Sequence, residues 1–239
     1  MIKLKYQKPF EVLLYMINTY FIAFFILFIS FLLLTVFLLS INFTQDHPLI
    51  IVDNSVRAFF SENFLNNYLR EFMIYVTFYG REYIWGPVLV ALFLFGGVVG
   101  RKTAIITGLS IITLVLVGGE IKDIIDRDRP ELDNNIYLLE EESKKSYPSG
   151  HALIVSAGAT GVVCLYRNNL KHKIISLVLV IEAGLVIFSR IYLGLHYPLD
   201  IVAGILLGIS VTFFFLGFQK QIDSLSKKIF SFIKTRKVT

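Results

Sequence analysis

Residues 20–41 read YFIAFFILFISFLLLTVFLLSI, twenty-two positions without a charge. A helix rises about 1.5 Å per residue, so this stretch covers about 33 Å as a helix, enough to cross a hydrocarbon core of about 30 Å. It is too long for a signal-peptide core and no small-residue cleavage site follows it, so it reads as a retained span, about 15–41. Five further apolar runs follow, at about 83–100, 103–119, 150–166, 173–191 and 200–218. Glycines recur along these runs (Gly158, Gly161, Gly184, Gly204, Gly208, Gly217), and small residues let membrane helices approach closely.

The composition agrees. Of 239 residues 55% are apolar and 17% charged, with 22 Phe and 12 Tyr, and the mean hydropathy is +0.68. A soluble domain carries about 25% charged residues, and a disordered chain carries few apolar ones. Cys164 is the single cysteine, so an intrachain disulfide framework is excluded. The expected fold is all-α: a polytopic membrane protein of six transmembrane helices, forming one domain over residues 1–239. Nothing in the sequence specifies an oligomeric state.

The net charge of +5 invites a nucleic-acid reading, but the positions of the charges argue against one. Of 23 Lys and Arg, fourteen fall on one side of a six-span weave: Lys3, Lys5, Lys8, Arg101, Lys102, Arg167, Lys171, Lys173, Lys220, Lys227, Lys228, Lys234, Arg236 and Lys237. Only Glu11 and Asp223 oppose them there. The positive-inside rule then places both termini in the cytoplasm of a plasma or inner membrane. The expected partner is the bilayer, with no nucleic acid.

Two segments fall on the opposite side. Residues 53–79 space Val56, Phe59, Phe60, Phe64, Tyr68, Leu69, Phe72, Met73 and Val76 three or four apart. This predicts one or two amphipathic helices in the outer interface, covering the bundle more readily than gating it. The second runs from Glu120 into the fourth span as EIKDIIDRDRPELDNNIYLLEEESKKSYPSGH. Its acids lack a ligand-like spacing, so a solvated loop is expected, with no metal site.

His47 and His172 lie in or beside polar turns and read as ordinary histidines. His151 and His196 each stand at the outer end of a span, on the side of Lys122, Arg129 and Arg190. Such a cationic level is a poor lipid surface and a good phosphate pocket. Ser149-Gly150 opens a helix whose first amides lack intrahelical acceptors and can bind an anion, although Ser149 also suits a plain N-cap. His196 precedes Asp200 by four residues, with Pro198 fit for a first helical turn. A carboxylate on one imidazole nitrogen makes the other more basic, as a nucleophile requires. Glu182, near the middle of the fifth span, is expected to be protonated or to hydrogen-bond a neighbouring helix through a hydroxyl such as Ser156, Thr160 or Ser210, as a structural contact and not a proton path.

Together the blocks read K-x6-R-P (Lys122, Arg129, Pro130), P-S-G-H (148–151) and S-R-x5-H-x3-D (Ser189, Arg190, His196, Asp200). In order and at every fixed position they resemble the signature of the type 2 phosphatidic acid phosphatase, or lipid phosphate phosphatase, superfamily. The resemblance covers about residues 85–218 and is closest to membrane-bound prokaryotic members. It implies phosphate binding by Lys122, Arg129 and Arg190, helped by Ser149 and the Gly150 amide. It implies His196 as nucleophile forming a phosphohistidine, Asp200 as its orienting partner and His151 as general acid and then base.

It further implies a metal-independent, cofactor-free phosphatase acting at the outer face on a lipid phosphate or pyrophosphate. Undecaprenyl pyrophosphate, phosphatidylglycerol phosphate, phosphatidate, diacylglycerol pyrophosphate and a lipid A phosphate all fit. Undecaprenyl pyrophosphate is favoured, because an outward site suits carrier-lipid recycling. A phosphotransferase could discharge the same phosphohistidine to a lipid or sugar hydroxyl. A non-enzymatic channel or scramblase would use the cations alone, and the presence of both His196 and Asp200 ranks it low.

Overall fold

The computed structural model describes residues 19–63, 66–130 and 145–224. These form helices α1 (Thr19–Ser40), α2 (Pro48–Asn63), α3 (Asn67–Gly80), α4 (Glu82–Phe95), α5 (Gly97–Ile125), α6 (Gly150–Leu165), α7 (Leu170–Tyr192) and α8 (Pro198–Gly217). Among the described residues there is no strand, only an isolated bridge between Asp128 and Lys145. The all-helical expectation is met. The start of the first expected span, Phe64, residues 131–144 of the acid-rich loop, and the basic residues Lys3, Lys5, Lys8, Lys227, Lys228, Lys234, Arg236 and Lys237 lie outside the described residues.

Four helices, α1, α5, α7 and α8, are long and apolar enough to cross a membrane. The other two expected spans are apolar but shorter, α4 with 14 residues and α6 with 16. The second and third spans also meet earlier than the sequence predicts, at Gly96-Gly97 instead of Arg101. Gly97 takes φ +63°, and a Cβ on Gly96 would stand 2.7 Å from the Gly100 Cα, so the chain turns where a side chain has no room. α5 then runs past residue 119 to Ile125. Glu120 and Asp123 project outward while Ile125 is buried, so the helix accommodates the charges that suggested its end. It stops at Asp126, in the left-handed region at φ 56°.

The amphipathic segment is two helices. α2 starts at Pro48, earlier than expected, with proline in its first turn. Asn66 caps α3, its side chain accepting the Leu69 N–H at 3.1 Å.

α6 sits at the centre, packed against α5, α7 and α8. Leu153 and Ala157 of α6 share one apolar cluster with Leu114 of α5, Ala203 and Leu207 of α8 and Phe31 of α1. Trp85 of α4 anchors a second with Val155 and Val162 of α6 and Ala183 and Val186 of α7. α1 lies on α8 through Phe21–Phe218 and Phe24–Phe214 ring contacts, at 5.1 and 5.3 Å between centroids. Such close packing, more than apolar transfer, holds helices together in lipid. Not every glycine serves it: a Cβ on Gly184 would meet nothing within 4 Å. Ile26, Leu33, Val36 and Leu116 point outward, a surface suited to lipid chains.

The bundle has two chemically distinct ends. At one, Lys102 near the start of α5 pairs with Asp223 beyond α8 at 2.9 Å. Lys122 stands twenty residues along α5 from Lys102, about 30 Å away. At its end lie the first turns of α6 and α8 and the last turn of α7, and with them all three motif blocks.

Candidate active site

The turn between α7 and α8 positions His196. Arg190 closes α7, and its carbonyl accepts the N–H groups of Leu195 at 3.0 Å and His196 at 3.3 Å. Gly194, at φ +69°, lets the chain fold back so tightly. α8 begins at Pro198, and Asp200 in its first turn accepts the Tyr197 N–H through Oδ2 at 3.0 Å. The same oxygen stands 3.4 Å from His196 Nδ1 and accepts the Ser146 hydroxyl. His196, Asp200 and Ser146 are all fully buried.

Arg127 completes this arrangement. It donates from Nη1 to Asp200 Oδ1 at 2.7 Å and from Nη2 to Asp53 Oδ2 at 2.6 Å. Asp53 is on α2, and its other oxygen accepts the Leu199 N–H at 2.8 Å. The Arg127 guanidinium also lies 4.0 Å from the Tyr197 ring centroid and 4.9 Å from that of Phe43. Burial opposes its charge, but Asp200 and Asp53 more than offset that and raise its pKa.

The second block is tied to the third through the backbone. Ser149 caps α6, its Oγ accepting the Ala152 N–H at 3.5 Å, while its own N–H donates to the Asp200 carbonyl at 3.0 Å. Gly204 of α8 allows this approach: a Cβ there would stand 2.8 Å from both the Ser149 carbonyl oxygen and the Ala152 Cβ. Just before Ser149, Tyr147 is buried with its hydroxyl 2.7 Å from Thr35. Thr35 spends its proton on the Phe31 carbonyl, so Tyr147 is the donor. Burial pushes the Tyr147 phenol up to about 12.

His151 follows Gly150 in the first turn of α6 and is 4% exposed. Its Nε2 lies 3.1 Å from the Thr77 carbonyl and its Nδ1 lies 3.3 Å from Arg81 Nη1. An arginine only donates, so Nδ1 accepts and the proton sits on Nε2. Thr77 also receives Arg190, whose Nη1 donates to its hydroxyl at 2.8 Å. His151 is within electrostatic reach of Arg190, Arg81 and His196.

The first block reaches the flanks of the other two. Arg129 donates from Nη1 to the Leu195 carbonyl at 3.3 Å, one residue before His196. Lys122 donates to the Lys145 carbonyl at 2.9 Å, one residue before Ser146. All eight residues expected from the sequence (Lys122, Arg129, Ser149, Gly150, His151, Arg190, His196, Asp200) therefore gather at one end of the bundle. The two other histidines serve elsewhere: His47 accepts the Leu49 N–H in the turn into α2, and His172 stacks on Tyr166.

Residues 103–223 match the family model of the PAP2 superfamily. The chain belongs to that family. An undecaprenyl-diphosphatase of Sulfolobus acidocaldarius is 38% identical over 168 residues, 70% of this chain and 77% of that protein. The undecaprenyl-diphosphatase BcrC of Bacillus subtilis is 29% identical over 155 residues, 64% of this chain and 77% of the relative. The crystal structure of a transmembrane PAP2 type phosphatidylglycerolphosphate phosphatase from Bacillus subtilis shares the fold, with TM-score 0.67 over 84% of this chain and 97% of that one at 24% identity. Aquifex aeolicus LpxE aligns with TM-score 0.56 over 72% of this chain and 97% of that one at 25% identity.

Five polar residues outside the PAP2 motif positions join the site: Asp53, Thr77, Arg81, Arg127 and Ser146. Arg127 occupies a variable position of the first block, and Ser146 precedes the second by two residues. Asp53 had a local signal, an acid three residues after Ile50 on the same buried helix face. Thr77 and Arg81 are one helical turn apart at the end of α3. The amphipathic segment is thus more than a cover, since α2 and α3 both reach into the polar site.

Glu182 departs from expectation. Ser156, Thr160 and Ser210 each donate to a carbonyl of their own helix, and the Glu182 carboxyl instead lies toward α3 and α4. Trp85 faces it without the alignment of a hydrogen bond. The carboxyl lines an apolar groove of about 420 Å³ with Tyr75, Tyr79, Gly80, Ile84 and Val178. The groove begins at Gly80, the residue before Arg81.

Proposed function

We propose that this PAP2 protein is an integral membrane lipid phosphatase that works through a phosphohistidine on His196. The observation that carries the reading is the buried His196–Asp200 pair, 3.4 Å apart, at the end of the bundle that also gathers Lys122, Arg129 and Arg190. Asp200 holds Nδ1, so Nε2 on the opposite edge of the ring attacks phosphorus. Lys122, Arg129, Arg190 and the Gly150 amide hold the equatorial oxygens, where fixed positive groups favour the transition state. Ser149 adds its hydroxyl to that cradle. His151 protonates a leaving alkoxide or phosphate and afterwards takes a proton from the water that cleaves the P–N bond.

The reaction needs no metal in this proposal. Among the described residues, the two buried carboxylates at the site, Asp53 and Asp200, are both committed to Arg127. The proposed substrate is a membrane lipid phosphate or pyrophosphate, undecaprenyl pyrophosphate first. Its chain would enter laterally from the bilayer with the headgroup directed to the cations.

The topology we infer has six spans, both termini in the cytoplasm and the site at the outer face of a plasma or inner membrane, in a single domain over 1–239. The Lys102–Asp223 pair, at the end of the bundle away from the motif blocks, supports the weave. Cysteine labelling that placed residues 120–149 in the cytoplasm would overturn it.

The decisive experiment measures phosphate release from purified protein in detergent. His196→Ala is expected to remove turnover while keeping the wild-type elution profile and melting temperature. Near-wild-type release by that variant would sink the mechanism. Activity should also survive excess EDTA; loss on chelation with recovery on adding a divalent cation would refute metal independence. A panel of the candidate lipids then fixes the substrate.

A further inference from the structure

Arg81 belongs to none of the motif blocks, yet it reaches the proposed general acid. It is the single residue between α3 and α4, and its carbonyl accepts the Trp85 N–H at 3.2 Å. Gly80 before it is pressed on α7: a Cβ there would collide with Val186 and stand 3.0 Å from Glu182 Oε1. The joint is therefore held against α7, which fixes where the arginine side chain starts. From there Nη1 lies 3.3 Å from His151 Nδ1 and 3.6 Å from the point a Cβ on Gly150 would occupy. The guanidinium overlies the first turn of α6, beside the amide that receives an anion.

We propose that Arg81 makes the site selective for lipid diphosphates by binding the inner phosphate, the one that carries the lipid chain. This rests on the phosphohistidine reading above. Lys122, Arg129, Arg190 and the Gly150 amide hold the outer phosphate over His196. Nε2 of His196 forms a bond to the outer phosphorus while the bond from that phosphorus to the bridging oxygen breaks, and the electron pair leaves on that oxygen. Water then adds to the phosphohistidine and the P–N bond breaks, releasing inorganic phosphate and restoring the imidazole.

The two substrate classes ask different things of the leaving-group side. A diphosphate releases a phosphate monoester, whose second pKa of about 6 makes the dianion stable at neutral pH. It needs a fixed cation more than a proton. A monophosphate releases an alkoxide, which needs the proton of His151. Arg81 cannot supply a proton, but its planar fork matches a phosphate in two places. It also occupies His151 Nδ1, with the single imidazole proton directed to the Thr77 carbonyl. That arrangement suits a leaving group stabilised by charge. The groove lined by Tyr79, Gly80 and Ile84 begins beside Arg81, where the chain on an inner phosphate would depart.

The test compares wild type, Arg81→Gln and Arg81→Lys in detergent, with undecaprenyl diphosphate and dioleoyl phosphatidate as substrates. Arg81→Gln should lower kcat/KM for the diphosphate by about 100-fold, the range for losing one fixed oxyanion donor, and for phosphatidate by a factor about tenfold or more smaller, the residual loss there reflecting its contact with His151. Arg81→Lys should recover part of the diphosphate activity. If Arg81→Gln does not elute as wild type, the ratio of the two substrates is read from Arg81→Lys. Equal losses on both substrates, or no loss on either, overturn the proposal. A wild type active on phosphatidate but not on the diphosphate also overturns it and leaves the phosphatase reading intact. A wild type that releases phosphate from no lipid of the panel refutes that reading itself.

Discussion

Asp200 turns one carboxylate oxygen to Arg127, at 2.7 Å from Nη1, and the other toward His196 Nδ1 at 3.4 Å. Arg127 in turn binds Asp53 of α2. The orientation of the proposed nucleophile therefore depends on a helix far from it in sequence. Removing Arg127 strands two buried carboxylates, a loss of about 3–5 kcal/mol for a broken buried pair. Arg127→Ala should accordingly show a large drop in melting temperature. Arg127→Lys supplies one point charge where a fork served two partners, and should lower kcat by about 100-fold with KM less affected. Asp53→Asn keeps an acceptor for Leu199 and should cost far less in turnover. A kcat unchanged in Arg127→Lys would show that this arginine only braces the fold.

The buried phenol of Tyr147 offers a readout by pH. Its pKa lies at about 12 in the folded chain, against about 10 in an unfolded one. Between those values the folded state holds the proton more tightly. The stabilisation is complete below pH 10 and is lost as pH rises toward 12. Melting temperature should fall over that window more steeply for the wild type than for Tyr147→Phe. Parallel curves would mean that the phenol is not confined as described.

Much of the site could be read from the sequence because the motif spacing follows helix geometry. His196 and Asp200 are four apart across the start of α8, and Ser149, Gly150 and His151 lead into α6, so local spacing pointed to these residues and the motif resemblance supplied their roles. The contributions of Asp53, Thr77 and Arg81 depend on how α2 and α3 dock on α7 and α8, which no local pattern specifies. Likewise the apolar runs announced the helices, but the break at Gly96-Gly97 lies where Gly97 takes a positive φ and a Cβ on Gly96 would crowd the Leu92 carbonyl and Gly100. Composition marked Glu182 as anomalous; its partner was misjudged because Ser156, Thr160 and Ser210 satisfy themselves within their own helices.

The contact between α6 and α8 sets the relation of His151 to His196, and Gly204 is its point of close approach beside the two helix starts. A side chain there meets the Ser149 carbonyl, which is backbone and cannot rotate away. Gly204→Ala should separate the two helix starts by a few tenths of an ångström, and reacting groups tolerate little misplacement. Turnover is expected to fall by at least about tenfold with Gly204→Ala, and further with Gly204→Val. Phosphate release combined with a melting curve distinguishes displacement from unfolding. Full activity in Gly204→Val would mean that the two helices do not set the geometry.

Glu182 is a half-buried acid whose buried carboxyl oxygens lack an aligned hydrogen bond among the described residues. A buried polar group left short of partners costs about 1–3 kcal/mol. Methionine has similar length, no polar requirement and the flexibility to fill the space beside Tyr79 and Val178. Glu182→Met should therefore raise the melting temperature in detergent, while Glu182→Gln, which keeps the polar demand, should not. Both variants should keep turnover on the preferred lipid within about threefold, because the carboxyl lies two helical turns along α7 from Arg190. A stabilised Glu182→Met that had lost turnover would instead assign this acid a part in handling the substrate.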